Sequence, residues 1–98
     1  MRLADPFAAR KFDRGTWWSD PEQRGPMTND LIESTLSGEP TESWVRELLG
    51  TATEEYREKA FEVKEYYLGM WSGARIDPDH LKLRFHGGRL VRATIVQH

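Results

Sequence analysis

The sequence predicts a small α+β domain, with helices in its first two-thirds and a β-hairpin at its C-terminal end. Apolar residues recur every three or four positions between residues 28 and 71, as on one face of a helix, and alternate with polar ones from residue 81 onward, as in a half-buried strand. The 98 residues suffice for one modest core, and the absence of cysteine excludes disulfides and thiol chemistry. We therefore expect one domain, 1–98, divided into an arm (1–27), a helical part (28–71) and a hairpin (72–98).

The first 27 residues predict an irregular arm. Prolines and glycines recur too closely for a long helix, so Asp5-Pro6 begins at most one or two helical turns, through Phe12. Large aromatic side chains in such an arm either fold onto the core as a belt or serve as anchors for a partner. The arm carries four of them: Phe7, Phe12, Trp17 and Trp18.

Three helices are predicted after the arm. The first begins with the capping residues 28–30 and ends at Gly38, and the second is capped by Thr41 and ends at Gly50. A long third helix is predicted over residues 53–70, because its apolar residues recur at steps of three and four: Ala52, Tyr56, Ala60, Val63, Tyr67 and Met70. Its glutamate-rich face, with Glu55 and Lys59 at the favourable i, i+4 spacing, is expected to be solvated; the alternative is a docking surface for a basic partner.

The end of the chain predicts a hairpin that turns at Gly87-Gly88. A three-residue loop, 87–89, sets one apolar face, with these opposite pairs: Phe85 and Val91, Leu83 and Ala93, Leu81 and Ile95. The other face is then basic, with Lys82, Arg84, His86 and Arg92, and Arg89 lies at the tip. Because two strands alone are marginal, we expect the hairpin to pack on the long helix; a third strand from residues 16–19 or a second copy at the hairpin edge are alternatives.

The sequence contains no nucleophile elbow, no zinc-protease motif and no phosphate-binding glycine loop with lysine. We therefore expect no enzymatic activity, no cofactor and no metal centre. The run Asp77-Pro78-Asp79-His80 is the one cluster that resembles metal ligands, but Asp-Pro also opens turns, and we interpret it as a turn. His98 is expected to fray. With no apolar run near the roughly 20 residues of a membrane span and no signal-peptide pattern, a cytoplasmic protein without a membrane partner is expected.

Charge is distributed unevenly along the chain. Residues 29–65 carry four basic and ten acidic side chains, whereas residues 66–98 carry five basic and two acidic ones. Segregated charge and aromatic anchors favour a protein-binding module, such as an adaptor, inhibitor or small regulator. The expected contact residues are those of the basic hairpin face and the aromatic arm: Lys82, Arg84, His86, Arg89, Arg92, Phe7, Phe12, Trp17 and Trp18.

Nucleic-acid binding is the alternative function. Three helices followed by a hairpin resemble the order of elements in a winged helix, whose recognition helix enters the major groove. The glutamates of the predicted long helix would repel DNA, which leaves the basic hairpin as the second route to nucleic acid.

Overall fold

A computed structural model of the chain describes residues 5–72 and 77–98 and has an α+β fold. A helical N-terminal half packs on one face of a four-stranded antiparallel sheet with strand order β1-β2-β3-β4. The strands are β1 (Glu54–Glu58), β2 (Phe61–Gly69), β3 (Asp79–His86) and β4 (Arg89–Gln97). Residues 1–4 of the predicted arm and residues 73–76 ahead of the predicted hairpin lie outside the described residues.

The helical half consists of short segments. Helix α1 (Arg14–Ser19) is followed by two 3-10 turns, Pro21–Gln23 and Gly25–Met27, and by α2 (Thr28–Asp30), which continues as a π-helical stretch, Leu31–Thr35. Helix α3 (Glu42–Leu49) begins at Thr41, whose side chain accepts a hydrogen bond from the backbone N–H of Trp44 at 3.2 Å. The proposal of a third strand from residues 16–19 is therefore wrong, because those residues belong to α1.

The core lies between these helices and the sheet. Trp17 is fully buried at its centre, where its ring is tilted against Tyr66 with centroids 5.9 Å apart. Burial raises the pKa of Tyr66 to about 12, and its hydroxyl donates to the carbonyl of Gly50 at 2.8 Å. The other large apolar side chains of the core come from both layers: Met27, Leu31, Leu36, Val45, Leu49, Leu68, Leu81, Leu83, Phe85 and Leu90.

The predicted long helix over residues 53–70 is wrong, because this segment forms β1 and β2. Residues 63–66 are all buried, so β2 lacks the alternation of buried and exposed positions by which half-buried strands are recognised. The charges that suggested ion pairs along a helix instead pair across the two strands, Glu55 with Lys64 and Arg57 with Glu62. The helical part thus ends at residue 49 rather than 71, and the order of elements is not that of a winged helix.

The C-terminal hairpin is present as β3 and β4, and most of its predicted register is confirmed. Leu83 lies opposite Ala93, and Leu81 lies opposite Ile95. Phe85, however, lies opposite Leu90 rather than Val91, because the loop has two residues instead of three. Gly87 and Gly88 both adopt positive φ, as a tight hairpin turn requires, and a β-bulge then restores the apolar register.

Within residues 5–72 and 77–98, no helix has both the length and the apolar character that crossing a bilayer requires.

Candidate functional site

The predicted basic face lies on the side of the sheet opposite the helices. On β3 the apolar residues Leu81, Leu83 and Phe85 enter the core, so His80, Lys82, Arg84 and His86 lie on the other side, which we call the open face. The hairpin prediction therefore places Lys82, Arg84 and His86 on one face correctly, whereas it did not assign His80 to this face. Arg92 lies directly opposite Arg84 in the register and belongs to the same face.

Much of the charge on the open face is neutralised by Glu58, at the end of β1. Its Oε2 accepts from Lys82 Nζ at 3.0 Å, and its Oε1 accepts from Arg84 Nε at 3.0 Å. Hydrogen bonds from Lys82 and then Arg84 hold the pKa of Glu58 below its usual range, so this carboxylate is charged at neutral pH. Two of the five basic residues expected to contact a partner, Lys82 and Arg84, are therefore paired within the sheet.

The remaining basic residues of the hairpin do not form a compact cationic patch. His86 Nδ1 lies 3.1 Å from the carbonyl oxygen of Ala60, and Arg89 donates to the carbonyl of Glu39 at 3.1 Å. Through these contacts the two side chains hold neighbouring loops against the hairpin. Arg92 is exposed and makes no ion pair with the described residues.

The aromatic arm divides into buried and exposed side chains. Phe7 and Phe12 are partly buried and pack against the core, as the belt interpretation predicts. Trp17 is fully buried, and its Nε1 donates to the carbonyl of Leu49 at 3.0 Å, so the expectation that it contacts a partner is wrong. Trp18 is 51% exposed and remains available as a contact.

Trp18 lies on a surface that sequence reasoning identified only in part. We call it the tryptophan surface and define it by Arg14, Trp18, Trp44, Glu47 and Leu48. The guanidinium carbon of Arg14 lies 5.3 Å from the ring centroid of Trp18, and Arg14 also lines a shallow hollow of about 210 Å³ together with Trp44, Glu47 and Leu48. Trp44 is 44% exposed. The buried residues of α3 are Val45 and Leu49, and the partly buried Leu48 also packs against the core, whereas Trp44 is turned toward solvent.

Backbone contacts hold the tryptophan surface in place. Trp18 Nε1 donates to the carbonyl of Leu48 at 2.8 Å, and Arg14 Nη2 donates to the carbonyl of Glu47 at 2.8 Å. The ring of Trp18 also lies against Gly50, where an added Cβ would come within 3.1 Å of it. Both side chains are therefore positioned by α3 before any partner binds.

The run Asp77 to His80 divides between two roles. Asp79 is buried and accepts from the backbone N–H groups of Trp71 and Ser72 at 2.7 and 2.9 Å, and also from the Ser72 hydroxyl. It therefore links the start of β3 to the residues that directly follow β2, which is a structural role. Asp77 is exposed, and His80 belongs to a different cluster on the open face.

That cluster is polar, and sequence reasoning missed it. Glu65 is buried on β2, where its Oε2 accepts from the hydroxyl of Tyr56 and its Oε1 lies 2.6 Å from Nε2 of His98. Burial raises the pKa of Glu65, but the hydrogen bonds from Tyr56 and His98, with the charge of His98 and His80, outweigh burial and leave the pKa below its usual range. His98 does not fray as expected, since its backbone N–H donates to the carbonyl of Pro78 at 3.2 Å.

Comparison of the chain with protein-family models, with curated proteins and with solved structures found no match. The function is therefore argued from these surfaces alone.

Proposed function

We propose that the chain is a non-enzymatic protein-binding module that docks through the tryptophan surface. The observation that carries the proposal is the pair of half-exposed tryptophans, Trp18 and Trp44, which share Arg14 as a neighbour. Tryptophan and arginine are the residue types that most often dominate the energy of protein interfaces. Single exposed apolar residues need no explanation, but an adjoining set of this composition is typical of a contact surface.

The rigidity of this surface supports the proposal. Binding costs conformational entropy for each side chain that becomes ordered, about 0.5–1.5 kcal/mol for a flexible one. Trp18 and Arg14 already make hydrogen bonds to the backbone of α3, so their ordering cost is largely absent. The hollow beside Trp44 is shallow and open, so it fits one apolar side chain of a partner rather than an enclosed small molecule.

The tryptophan surface replaces the basic hairpin as the proposed centre of docking. Glu58 occupies Lys82 and Arg84, and this removes the cluster of free cations that would attract either an acidic protein or a phosphate backbone. Arg92 is exposed and makes no ion pair within the described part of the chain, and it is retained as a test of the nucleic-acid alternative.

The experiment is capture of partners from a nuclease-treated lysate, followed by calorimetry with the purified partner. We expect Trp44→Ala to weaken binding by at least about 30-fold, as loss of an interface hot spot does. Alanine favours helix, so this substitution at an exposed position of α3 leaves the fold intact. Val91→Ala is the matched control, because Val91 is 45% exposed on a different surface, and binding should be unchanged.

Three other outcomes would count against docking through the tryptophan surface. Equal binding by wild type and Trp44→Ala would exclude the tryptophan surface. Capture that disappears with nuclease and with Arg92→Glu would establish nucleic-acid binding instead. Self-association in sedimentation equilibrium that survives Trp44→Ala would indicate that the chain pairs through another surface, such as the exposed edge of β4.

A further inference from the structure

Three side chains with metal-ligating atoms meet on the open face, and each comes from a different neighbouring strand. Glu65 lies on β2, His80 lies on β3, and His98 directly follows β4. One ligand atom from each side chain lies within 4.8 Å of the other two. We propose that Glu65, His80 and His98 bind one divalent transition-metal ion of the zinc type, a function independent of the proposed docking surface.

Burial separates this cluster from an ordinary group of surface charges. The exposed fraction is 1% for Glu65 and 8% for His80. The Nδ1 atom of His80 is buried and has no hydrogen-bond partner among the described residues. Buried polar atoms are almost always paired, so an unpaired imidazole nitrogen on a residue of this cluster indicates a missing ligand.

The groups around the cluster orient its ligands. The hydroxyl of Tyr56 donates to Oε2 of Glu65, which directs the other oxygen, Oε1, toward His98. The backbone N–H of His98 donates to the carbonyl of Pro78. The ring of Tyr67 meets the ring of His80 edge-on, with the two ring centroids 6.0 Å apart. Such second contacts fix the direction of metal ligands and are a regular part of metal sites.

The donor set selects the class of metal. Two imidazoles and one carboxylate suit zinc and its first-row neighbours, whereas magnesium and calcium prefer oxygen ligands alone. Tetrahedral zinc bonds of about 2.0–2.2 Å place neighbouring ligand atoms roughly 3.3–3.6 Å apart, so the 2.6 Å contact between Glu65 Oε1 and His98 Nε2 must open by roughly 0.7–1.0 Å when the ion binds. The side chain of His98 is 54% exposed, which gives the ion a route from solvent and leaves room for water as a fourth ligand.

The test is calorimetric titration of the untagged, chelator-treated chain with Zn²⁺, and with Mg²⁺ in a parallel experiment. We expect one Zn²⁺ per chain, a higher Tm in its presence, and no binding of Mg²⁺. His98→Gln should weaken zinc binding by at least about tenfold. This variant keeps the fold, because the side chain of His98 is more than half exposed.

His86→Gln is the matched control. His86 lies on the open face of β3, the strand that also carries His80, but outside the cluster, so its loss should leave zinc binding unchanged. As a second readout, Co²⁺ bound to wild type should give the absorption bands of a site with nitrogen and oxygen ligands, and His98→Gln should abolish them. Absence of stoichiometric binding, equal binding by His98→Gln, or equal loss in His86→Gln would overturn the proposal.

Discussion

Gly69 is a residue whose identity the fold constrains tightly. Its φ of +98° lies in the region that favours glycine, and an added Cβ would come 2.6 Å from Nε1 of Trp71 and 2.9 Å from the carbonyl oxygen of Glu22. Gly25 makes a similar close approach to the ring of the same tryptophan. Trp71 is therefore packed between two glycines, and neither position has room for a side chain.

We predict that Gly69→Ala lowers the free energy of unfolding by roughly 2–3 kcal/mol, since it adds both backbone strain and overpacking. Urea denaturation measures this change. Gly87→Ala is the matched control, because Gly87 also has positive φ, +60°, but nothing lies within 4 Å of an added Cβ. The control should lose only about 1 kcal/mol. Equal losses in both variants would contradict the tight packing around Trp71.

The sequence indicated which individual residues are noteworthy, but not whether each is buried or what it contacts. It singled out Trp17 and Trp18 together, yet one is fully buried and the other half exposed, because only one face of the short helix α1 meets the core. His98 was set aside as a chain end, and its hydrogen bond to Pro78 depends on the return of β4 beside β3. Contacts of this kind join residues far apart in sequence, and no local pattern encodes them.

At the scale of elements, the two hairpins differ in how clearly the sequence marks them. The hairpin of β3 and β4 was predicted because its strands alternate and two glycines occupy the turn. The hairpin of β1 and β2 turns at Lys59, which adopts a φ of +54° without the glycine or asparagine that usually marks such a turn. Its apolar spacing also fits a helix by coincidence, so only pairing with β3 decides in favour of strands.

The strained turn leads to a prediction for the β1–β2 hairpin. Lys59→Gly should raise the free energy of unfolding by about 1 kcal/mol, because glycine adopts positive φ without the steric cost that lysine bears. Thermal and urea unfolding would detect the change. Lys59→Ala keeps the strain and removes only the exposed side chain, so it should change stability little. A destabilised Lys59→Gly variant would show that the turn is formed differently.

At the scale of the whole molecule, the charge segregation seen along the chain disappears in the fold. The acidic segment, 29–65, contributes β1 and the first five residues of β2, and the basic segment, 66–98, contributes the rest of β2 together with β3 and β4. Antiparallel pairing places the two segments side by side, so Glu58 meets Lys82 and Arg84 while Glu65 meets His98. Part of the charge pattern therefore contributes to the assembly of the sheet.

The ion pairs of Glu58 make the stability of the fold depend on pH. Hydrogen bonds from Lys82 and Arg84 lower the pKa of Glu58 in the folded state, so its stabilising contribution is complete above its ordinary value of about 4.5 and is lost as pH falls through the lower, folded-state pKa. Glu58→Gln should accordingly lower Tm by a few degrees at pH 7, and the difference from wild type should shrink as the pH falls from 4.5 toward 3. Thermal unfolding followed by circular dichroism at several pH values measures both effects.

Glu62→Gln is the control for that measurement. Glu62 also pairs with an arginine, Arg57, but both side chains are more than half exposed, 57% and 66%, and exposed ion pairs contribute little because water and salt screen them. Its Tm should stay close to that of wild type at every pH. If both variants showed the same pH-dependent loss, net charge rather than the shared contact of Glu58 would govern acid stability. If only Glu58→Gln shows this loss, the contact of Glu58 with Lys82 and Arg84 governs acid stability. The same carboxylate then also keeps these two cations from binding a partner.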